Sequence, residues 1–371
     1  MRLRSLSLEQ FRSYERLELT LPEGDVHLLT GPNGAGKTNI LESIVLLSLL
    51  KSFQGVEEED LVAWGRDFYR IRAVLTEDTG EERTQELVSV LAPRRQKAAF
   101  MNDVKMQVSD VVGRLPTVTF LPQDLELFSG APAQRRRFLD QLLCQVEPEY
   151  LIALAKHQRV LKQRNTLLRR IREGAASEED LDPWDHALAR EGAFVTLRRL
   201  ELLEMLQCTL CEELIALGEC WSDVRILFER KGESRTLDEA VAENYRLLRA
   251  SRDRDLLLQS TGVGPHREDW HIVADGHALQ NFASRGQQRT VVLALLFLQV
   301  SFVELRRGEK PVILLDDVFS ELDDAHQTAL LRSLEGHQVL ITATHVPKEL
   351  QGATVHAVEK GVVTEGVVCR E

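Results

Sequence analysis

Gly31-Pro32-Asn33-Gly34-Ala35-Gly36-Lys37-Thr38 matches the phosphate-binding loop pattern G-x-x-x-x-G-K-[ST]. It stands between a strand-like run at 26–30 and an apolar helical run at 40–50. The glycines let the backbone curl so that its N–H groups point inward at phosphate oxygens. Lys37 adds a point charge near the β- and γ-phosphates, and the Thr38 hydroxyl is a ligand for Mg²⁺. Gly31, Asn33, Gly34, Gly36, Lys37 and Thr38 are therefore the expected ATP contacts, with Lys37 also catalytic. Strand, loop and helix in that order predict an α/β head.

A second stretch completes the expectation. Val312-Ile313-Leu314-Leu315-Asp316-Asp317 reads as a strand buried on both faces with acids at its carboxyl end. Asp316 is expected to hold the Mg²⁺ shell, and Asp317 to orient or deprotonate the attacking water. Between the two lies Phe282-Ala283-Ser284-Arg285-Gly286-Gln287-Gln288-Arg289, ahead of a strongly apolar helix. A serine and a glycine there form either an anion site at a helix N-terminus or an ordinary helix cap. Ser320-Glu321-Leu322-Asp323 and Thr344-His345 follow. The order of these motifs resembles that of ABC-type ATPase heads. The resemblance implies that His345 is a catalytic switch residue. It also implies that Ser284, Gly286, Gln287 and Asp323 cap the ATP of a second copy, so that hydrolysis needs a face-to-face homodimer.

Away from these motifs the pattern changes along the chain. Further strand-like pieces stand at 3–8, 17–21, 69–75, 86–91, 117–121, 270–274, 311–315 and 338–342. In the first, Leu3, Ser5 and Ser7 face one way if Arg4, Leu6 and Leu8 face the other. From about 132 to about 258 strand patterns nearly vanish. The expected architecture is an ATPase head with a mixed sheet, formed by residues 1–130 and 258–371, with a mainly α-helical lobe inserted at 131–257. Gly174 and Pro183 break that lobe, so it is no long coiled coil.

Composition sets the outer limits. A chain of 371 residues with 43% hydrophobic and 28% charged residues reads as a folded protein of more than one domain. The apolar run 291–303 contains Gln299 and Ser301 and reads as a buried helix, and no leader segment precedes the first strand, so a cytoplasmic protein without a membrane partner is expected. The net charge is −12, yet the stretch 131–172 carries ten basic residues against three acids. Local basic surface governs nucleic-acid affinity. Arg135, Arg136, Arg137, Lys162, Arg164, Arg169 and Arg170 are accordingly candidate contacts for DNA, the alternative being a solvated helix face or a protein-partner surface. His266 and Arg267 either touch nucleotide or DNA or brace the lobe. Cys208 and Cys211 have C-x-x-C spacing but no second ligand pair, and two packed thiols are expected there.

Several motifs point to one family. Gln10-Phe11-Arg12-Ser13-Tyr14 resembles the first hairpin of SMC-like DNA-repair ATPases, which adds Arg12 to the implied nucleotide contacts. Pro132-Ala133-Gln134-Arg135-Arg136-Arg137-Phe138-Leu139-Asp140, Leu161-Lys162-Gln163-Arg164-Asn165 and Gly264-Pro265-His266-Arg267-Glu268-Asp269 resemble the RecF family. So do the 282–289 signature and Leu315-Asp316-Asp317-Val318-Phe319-Ser320-Glu321-Leu322-Asp323. The resemblance runs from end to end. It implies a bacterial recombination mediator and slow DNA-stimulated ATPase that binds duplex DNA near gaps and works with RecR and RecO to load RecA. Gln123 and Glu268 depart from the family pattern, and no metal role is assigned to Gln123. An SMC-like clamp of other role, a transporter motor subunit and a scaffold with structural ATP are the rival readings.

Overall fold

The structure, a computed structural model, describes residues 1–347, 350, 352–364 and 367–368. The chain divides into two compact units, a head (Met1–Glu126 with Arg289–Glu371) and a lobe (Leu127–Gln288). The lobe thus extends beyond the expected 131–257. The strand Asp269–Ala274, expected in the head, pairs antiparallel with Val224–Glu229, a strand that the sequence reading missed, and with His277–Ala278. A strand goes where its ladder partner is, and that partner lies within the insert.

Two sheets build the head. One is antiparallel, in the order Tyr14–Thr20, Arg2–Phe11, Phe68–Thr76, Glu82–Val90, Gln96–Met101, Val104–Met106. The other has a parallel centre in the order Thr354–Glu359, Val26–Thr30, Val339–Ala343, Val312–Leu315, Thr117–Phe120, with antiparallel pairing at Thr354–Glu359. The strands Val312–Leu315 and Val339–Ala343 are buried at every residue, as expected of central parallel strands. In the antiparallel sheet, Leu3 is buried together with Leu6 and Leu8, contrary to the expected alternation. The register with Phe68–Thr76 slips between Leu3 and Ser5, and a bulge of that kind changes which residues face the core.

The helix Lys37–Leu49 is packed against strands of both sheets. It is apolar around its circumference, so burial on all sides suits it. Ile40, Leu41, Ile44, Leu46 and Leu47 are fully buried, each contributing about 1.5–3 kcal/mol. The helix Arg285–Arg307 is long and apolar enough by length and composition to cross a membrane, but 67% of its apolar window is buried within the protein. It extends well beyond the 291–303 run.

The lobe is built on two long helices, Pro148–Arg172 and Asp182–Ala216, with Pro132–Val146, Leu237–Ala250 and Arg252–Leu258 around them. Leu188, Ala189, Leu248 and Val263 form one apolar cluster and Leu167, Leu168 and Leu181 another. The interruption at Gly174 and Pro183 is real: a short turn over Glu178–Leu181 joins the two long helices.

Candidate nucleotide site

The strand Val26–Thr30 runs into the loop, and the helix Lys37–Leu49 leaves it. Gly31 has φ 153° and Gly36 has φ 106°. A β-carbon at Gly31 would lie 2.1 Å from the Val358 carbonyl oxygen, and one at Gly36 would lie 2.7 Å from the Tyr14 hydroxyl. Only glycine fits either place. The turn between the first two strands braces the loop. The Tyr14 hydroxyl donates to the Gly36 carbonyl at 3.1 Å, and the Asn39 amide donates to Ser13 Oγ at 3.0 Å. Burial pushes the Tyr14 phenol up, which keeps it a neutral donor.

Lys37 is buried, and its ammonium donates to the carbonyls of Gly31 at 2.7 Å and Pro32 at 3.0 Å. Burial lowers its pKa, and the nearby carboxylates of Asp317 and Asp316 oppose that shift. The Thr38 hydroxyl lies 2.9 Å and 3.0 Å from the two oxygens of Asp316, a residue 278 positions away in the chain. Parallel pairing causes the meeting. Val312–Leu315 lies beside Val339–Ala343, which lies beside Val26–Thr30, so all three deliver their carboxyl ends to one edge. Burial pushes the Asp316 carboxyl up, while hydrogen bonds from Thr342 and Thr38 pull it down.

Asp317 adopts the left-handed conformation with φ 48°. Its N–H donates to Thr342 Oγ1 at 2.9 Å, and its carbonyl accepts from Ser320 Oγ at 2.7 Å. His345 is exposed just beyond Val339–Ala343, whose Ala343 pairs with Thr30 immediately before the loop. Its Nδ1 lies 2.9 Å from Thr344 Oγ1. Asp323 caps the helix Asp324–Ser333 by accepting the His326 N–H at 3.0 Å. The hydrogen bonds from His326 hold its carboxyl low.

Comparison with known proteins agrees with this geometry. The family described as RecF/RecN/SMC N terminal domain matches residues 2–362. The DNA replication and repair protein RecF of Heliobacterium modesticaldum is 35% identical over 97% of this chain and 98% of its own length. That of Bacillus cereus strain B4264 is 32% identical over 99% and 98%. A solved structure of the recombination mediator protein RecF-ATPrS in the RecFOR pathway superposes with a TM-score of 0.91, at 31% identity over 98% of both chains. The chain belongs to the RecF family. An Smc head from Pyrococcus furiosus, at 13% identity and a TM-score of 0.53, shares the fold. RecF family membership gives the chain an α/β ABC-type ATPase head and a place among recombination mediators.

Other expected contacts fare unevenly in this RecF-family chain. Arg12, expected at the nucleotide, is engaged elsewhere. It donates to both carboxylate oxygens of buried Glu42 at 2.8 Å and 2.9 Å, to the Asp60 carbonyl and to Gln54. Four of the five guanidinium N–H groups are thereby used. Ser284 and Gln287 cap Arg285–Arg307 reciprocally: the Gln287 N–H donates to Ser284 Oγ, and the Ser284 N–H donates to Gln287 Oε1. This realises the helix-cap reading, while Ser284 and Gly286 remain exposed.

The expected basic cluster splits. Arg135 is buried against Asp269, to which it donates twice, and against the carbonyls of Leu127 and Gly130. Arg164 is fully buried between Asp185 and Asp255, with Thr261 as a third acceptor. Neither is a DNA contact, because each is cancelled by carboxylates inside the lobe. Arg136 is half-buried and donates to the Glu268 carbonyl, and Arg137 is half-buried too. Lys162, Arg169 and Arg170 are exposed, as are Lys156, Arg159 and Arg172, along the helix Pro148–Arg172. At 100° per residue Arg159, Lys162, Arg169 and Arg170 lie on the side away from buried Ala153, His157, Arg164, Leu167 and Leu168, with Lys156 and Arg172 at its flanks. No acid occurs between 150 and 172.

His266 is half-buried and Arg267 exposed, and both bond the Thr261 carbonyl within the lobe. Glu268 is buried on Thr196 and Arg199. Cys208 is exposed and Cys211 half-exposed, so they are not the packed pair expected, and no metal-holding cluster occurs among the described residues. Gln123 is exposed. The sequence reading missed Tyr14, Glu42 and Thr342 as individuals. Buried polar residues inside apolar runs were the available signal for Glu42 and Thr342.

Proposed function

We propose that the protein is an ATP-switched, DNA-binding recombination mediator of the cytoplasm. ATP binding brings two heads face to face, and the dimer grips duplex DNA near a gap. Slow, DNA-stimulated hydrolysis to ADP and phosphate then ends the grip. RecR is the proposed direct partner, with RecO and RecA acting in the same process. The observation that carries this reading is the convergence of Lys37, Thr38, Asp316 and Asp317 at one sheet edge from ends of the sequence far apart.

The donor set suits Mg²⁺. A hydroxyl and a carboxylate meet, both hard oxygen ligands, with Thr38 and Asp316 as the holders. Bound there, Mg²⁺ supplies charge neutralisation on the β- and γ-phosphate oxygens. Lys37 exchanges its carbonyl partners for phosphate oxygens. Asp317 takes a proton from water as the water oxygen bonds to the γ-phosphorus. The bond to the β–γ bridging oxygen breaks, and ADP leaves with that oxygen. His345 offers a ring nitrogen at the neighbouring strand end. Ser284, Gly286, Gln287 and Asp323 of a second copy cap the γ-phosphate through N–H groups and a helix dipole. Lys162, Arg169 and Arg170, with their exposed basic neighbours, bind DNA phosphates rather than bases, which makes the grip indifferent to sequence.

Mixing two inactive variants tests the shared site. Lys37→Ala removes the loop charge, and Ser284→Arg blocks the cap while leaving ATP binding to the monomer intact. A mixed dimer holds one site with both residues native. Partial recovery of ATPase activity on mixing is expected; full activity in Ser284→Arg alone refutes the arrangement.

A further inference from the structure

We propose that Thr342 is a positioning residue for ATP hydrolysis: its one hydroxyl fixes the Asp316 carboxylate and the backbone turn at Asp317 together. The proposal rests on the reading of this site as an Mg²⁺-dependent ATPase. Thr342 Oγ1 donates to Asp316 Oδ1 at 2.6 Å and accepts the Asp317 N–H at 2.9 Å. It therefore touches the expected metal ligand and the expected base with a single atom.

The surroundings explain why a hydroxyl is needed there. Thr342 is 1% exposed, in a strand whose other residues are Val339, Leu340, Ile341 and Ala343. At the centre of such a strand valine has the same shape, and a hydroxyl costs free energy unless it is bonded. Here it is bonded twice. Asp317 is a non-glycine residue at φ 48°, a conformation that persists only where its surroundings enforce it. Thr342 holds the amide on one side of Asp317, and Ser320 Oγ holds its carbonyl on the other. Asp316 in turn keeps both oxygens within reach of Thr38. Without the Thr342 hydroxyl, Asp316 loses its shortest hydrogen bond and the Asp317 N–H loses its acceptor. Residues that orient a metal ligand by hydrogen bonding typically matter by about 10-fold to about 100-fold in metal affinity or activity.

The test compares Thr342→Val with Thr342→Ser. Binding of a fluorescent ATP analogue is measured without Mg²⁺ and across an Mg²⁺ titration, alongside kcat and KM. In Thr342→Val, Mg²⁺-free nucleotide binding stays near the parental level. The Mg²⁺ midpoint should rise and kcat should fall, each by roughly 10-fold or more, with KM at saturating Mg²⁺ little changed. Thr342→Ser, which keeps the hydroxyl, should return both quantities towards parental values. A parental Mg²⁺ midpoint and kcat in Thr342→Val overturn the proposal. So does a Thr342→Ser defect equal to that of Thr342→Val, since volume rather than the hydroxyl would then matter. If Thr342→Val does not fold, Thr342→Cys, a weaker hydrogen-bonding group, must show a raised midpoint for the proposal to stand. If the parental protein hydrolyses no ATP, the ATPase reading fails, while the Mg²⁺ titration still decides the role of Thr342.

Discussion

The nucleotide site and the lobe treat buried charge in opposite ways. In the head, Lys37 rests on two carbonyls and Asp316 on two hydroxyls. In the lobe, Arg164 is met by Asp185 and Asp255, Arg199 by Asp140 and Glu268, and Arg135 by Asp269. Neutral dipoles solvate a charge without cancelling it, so it stays available to an incoming phosphate or metal. A carboxylate cancels it, and the charge then serves only the fold. Arg12 with Glu42 is such a carboxylate-paired charge inside the head. The chemical role of a buried ion is therefore read from the kind of partner it has, more than from its motif.

The largest expected effect is on turnover. Asp317→Asn keeps size and hydrogen bonding but cannot accept the water proton, so kcat should fall by roughly 10²- to 10⁴-fold. ATP binding and folding stability should persist, with an ATP-bound dimer accumulating, as seen by size-exclusion chromatography. Parental turnover in this variant would remove Asp317 from the chemistry.

Arg164→Leu should do the reverse. It leaves Asp255 buried with no ion-pair partner and Asp185 with Arg252 alone, a loss of about 3–5 kcal/mol in denaturant unfolding. Lys37→Ala, by contrast, should end tight ATP binding without a comparable loss of stability, because no buried carboxylate depends on Lys37 alone. Equal destabilisation by the two changes would break the distinction between solvated and cancelled charge.

Smaller again is the effect of reversing Lys162, Arg169 and Arg170 to Glu. Each side chain is exposed, so stability should stay within about 0.5 kcal/mol. DNA affinity should drop, and the log–log salt dependence should flatten by about 0.9 for each phosphate no longer neutralised. Fluorescence anisotropy on a gapped duplex across a salt series measures both. An unchanged slope would make this face a protein-partner surface.

What could be read beforehand follows the range of the interactions. The phosphate loop and the acidic strand are local patterns, and both stand where the sequence places them. Arg164 and Arg169 could not be told apart, since both lie in one basic run and only the positions of Asp185 and Asp255 decide which is buried. The strand Val224–Glu229 is short and set among helical patterns, so no local signal marks it. Without that strand, its partner Asp269–Ala274 reads as part of the head. The bulge after Leu3 has no mark in composition. Thr342 was covered only by a strand assignment, because a β-branched residue in a buried strand looks like core until its hydroxyl partners are known.

Protonation tests the comparison at its gentlest. Each unit holds a pair of neighbouring histidines: buried His27 with buried His356 in the head, and buried His157 with half-buried His266 in the lobe. Burial, and then the neighbouring His266 and Arg199, lowers the His157 pKa from 6.5 to about 3. Burial brings His27 to about 4, and His356 is lowered as well. These rings are neutral in the fold, and no carboxylate bonds either member of the lobe pair. Between pH 6.5 and about 3 the unfolded chain binds a proton at position 157 that the folded chain does not. The contribution of His157 is thus fully present above pH 6.5 and is lost as the pH falls towards 3. His157→Leu should flatten stability against pH in that window by up to about 1.4 kcal/mol per pH unit. Tryptophan fluorescence during urea unfolding reports the lobe selectively, because Trp184, Trp221 and Trp270 lie there while Trp64 is fully exposed on the head. His27→Leu should leave that lobe signal unchanged. If it flattens the lobe transition as much as His157→Leu does, the two units unfold as one, and their different handling of charge does not make them separate in stability.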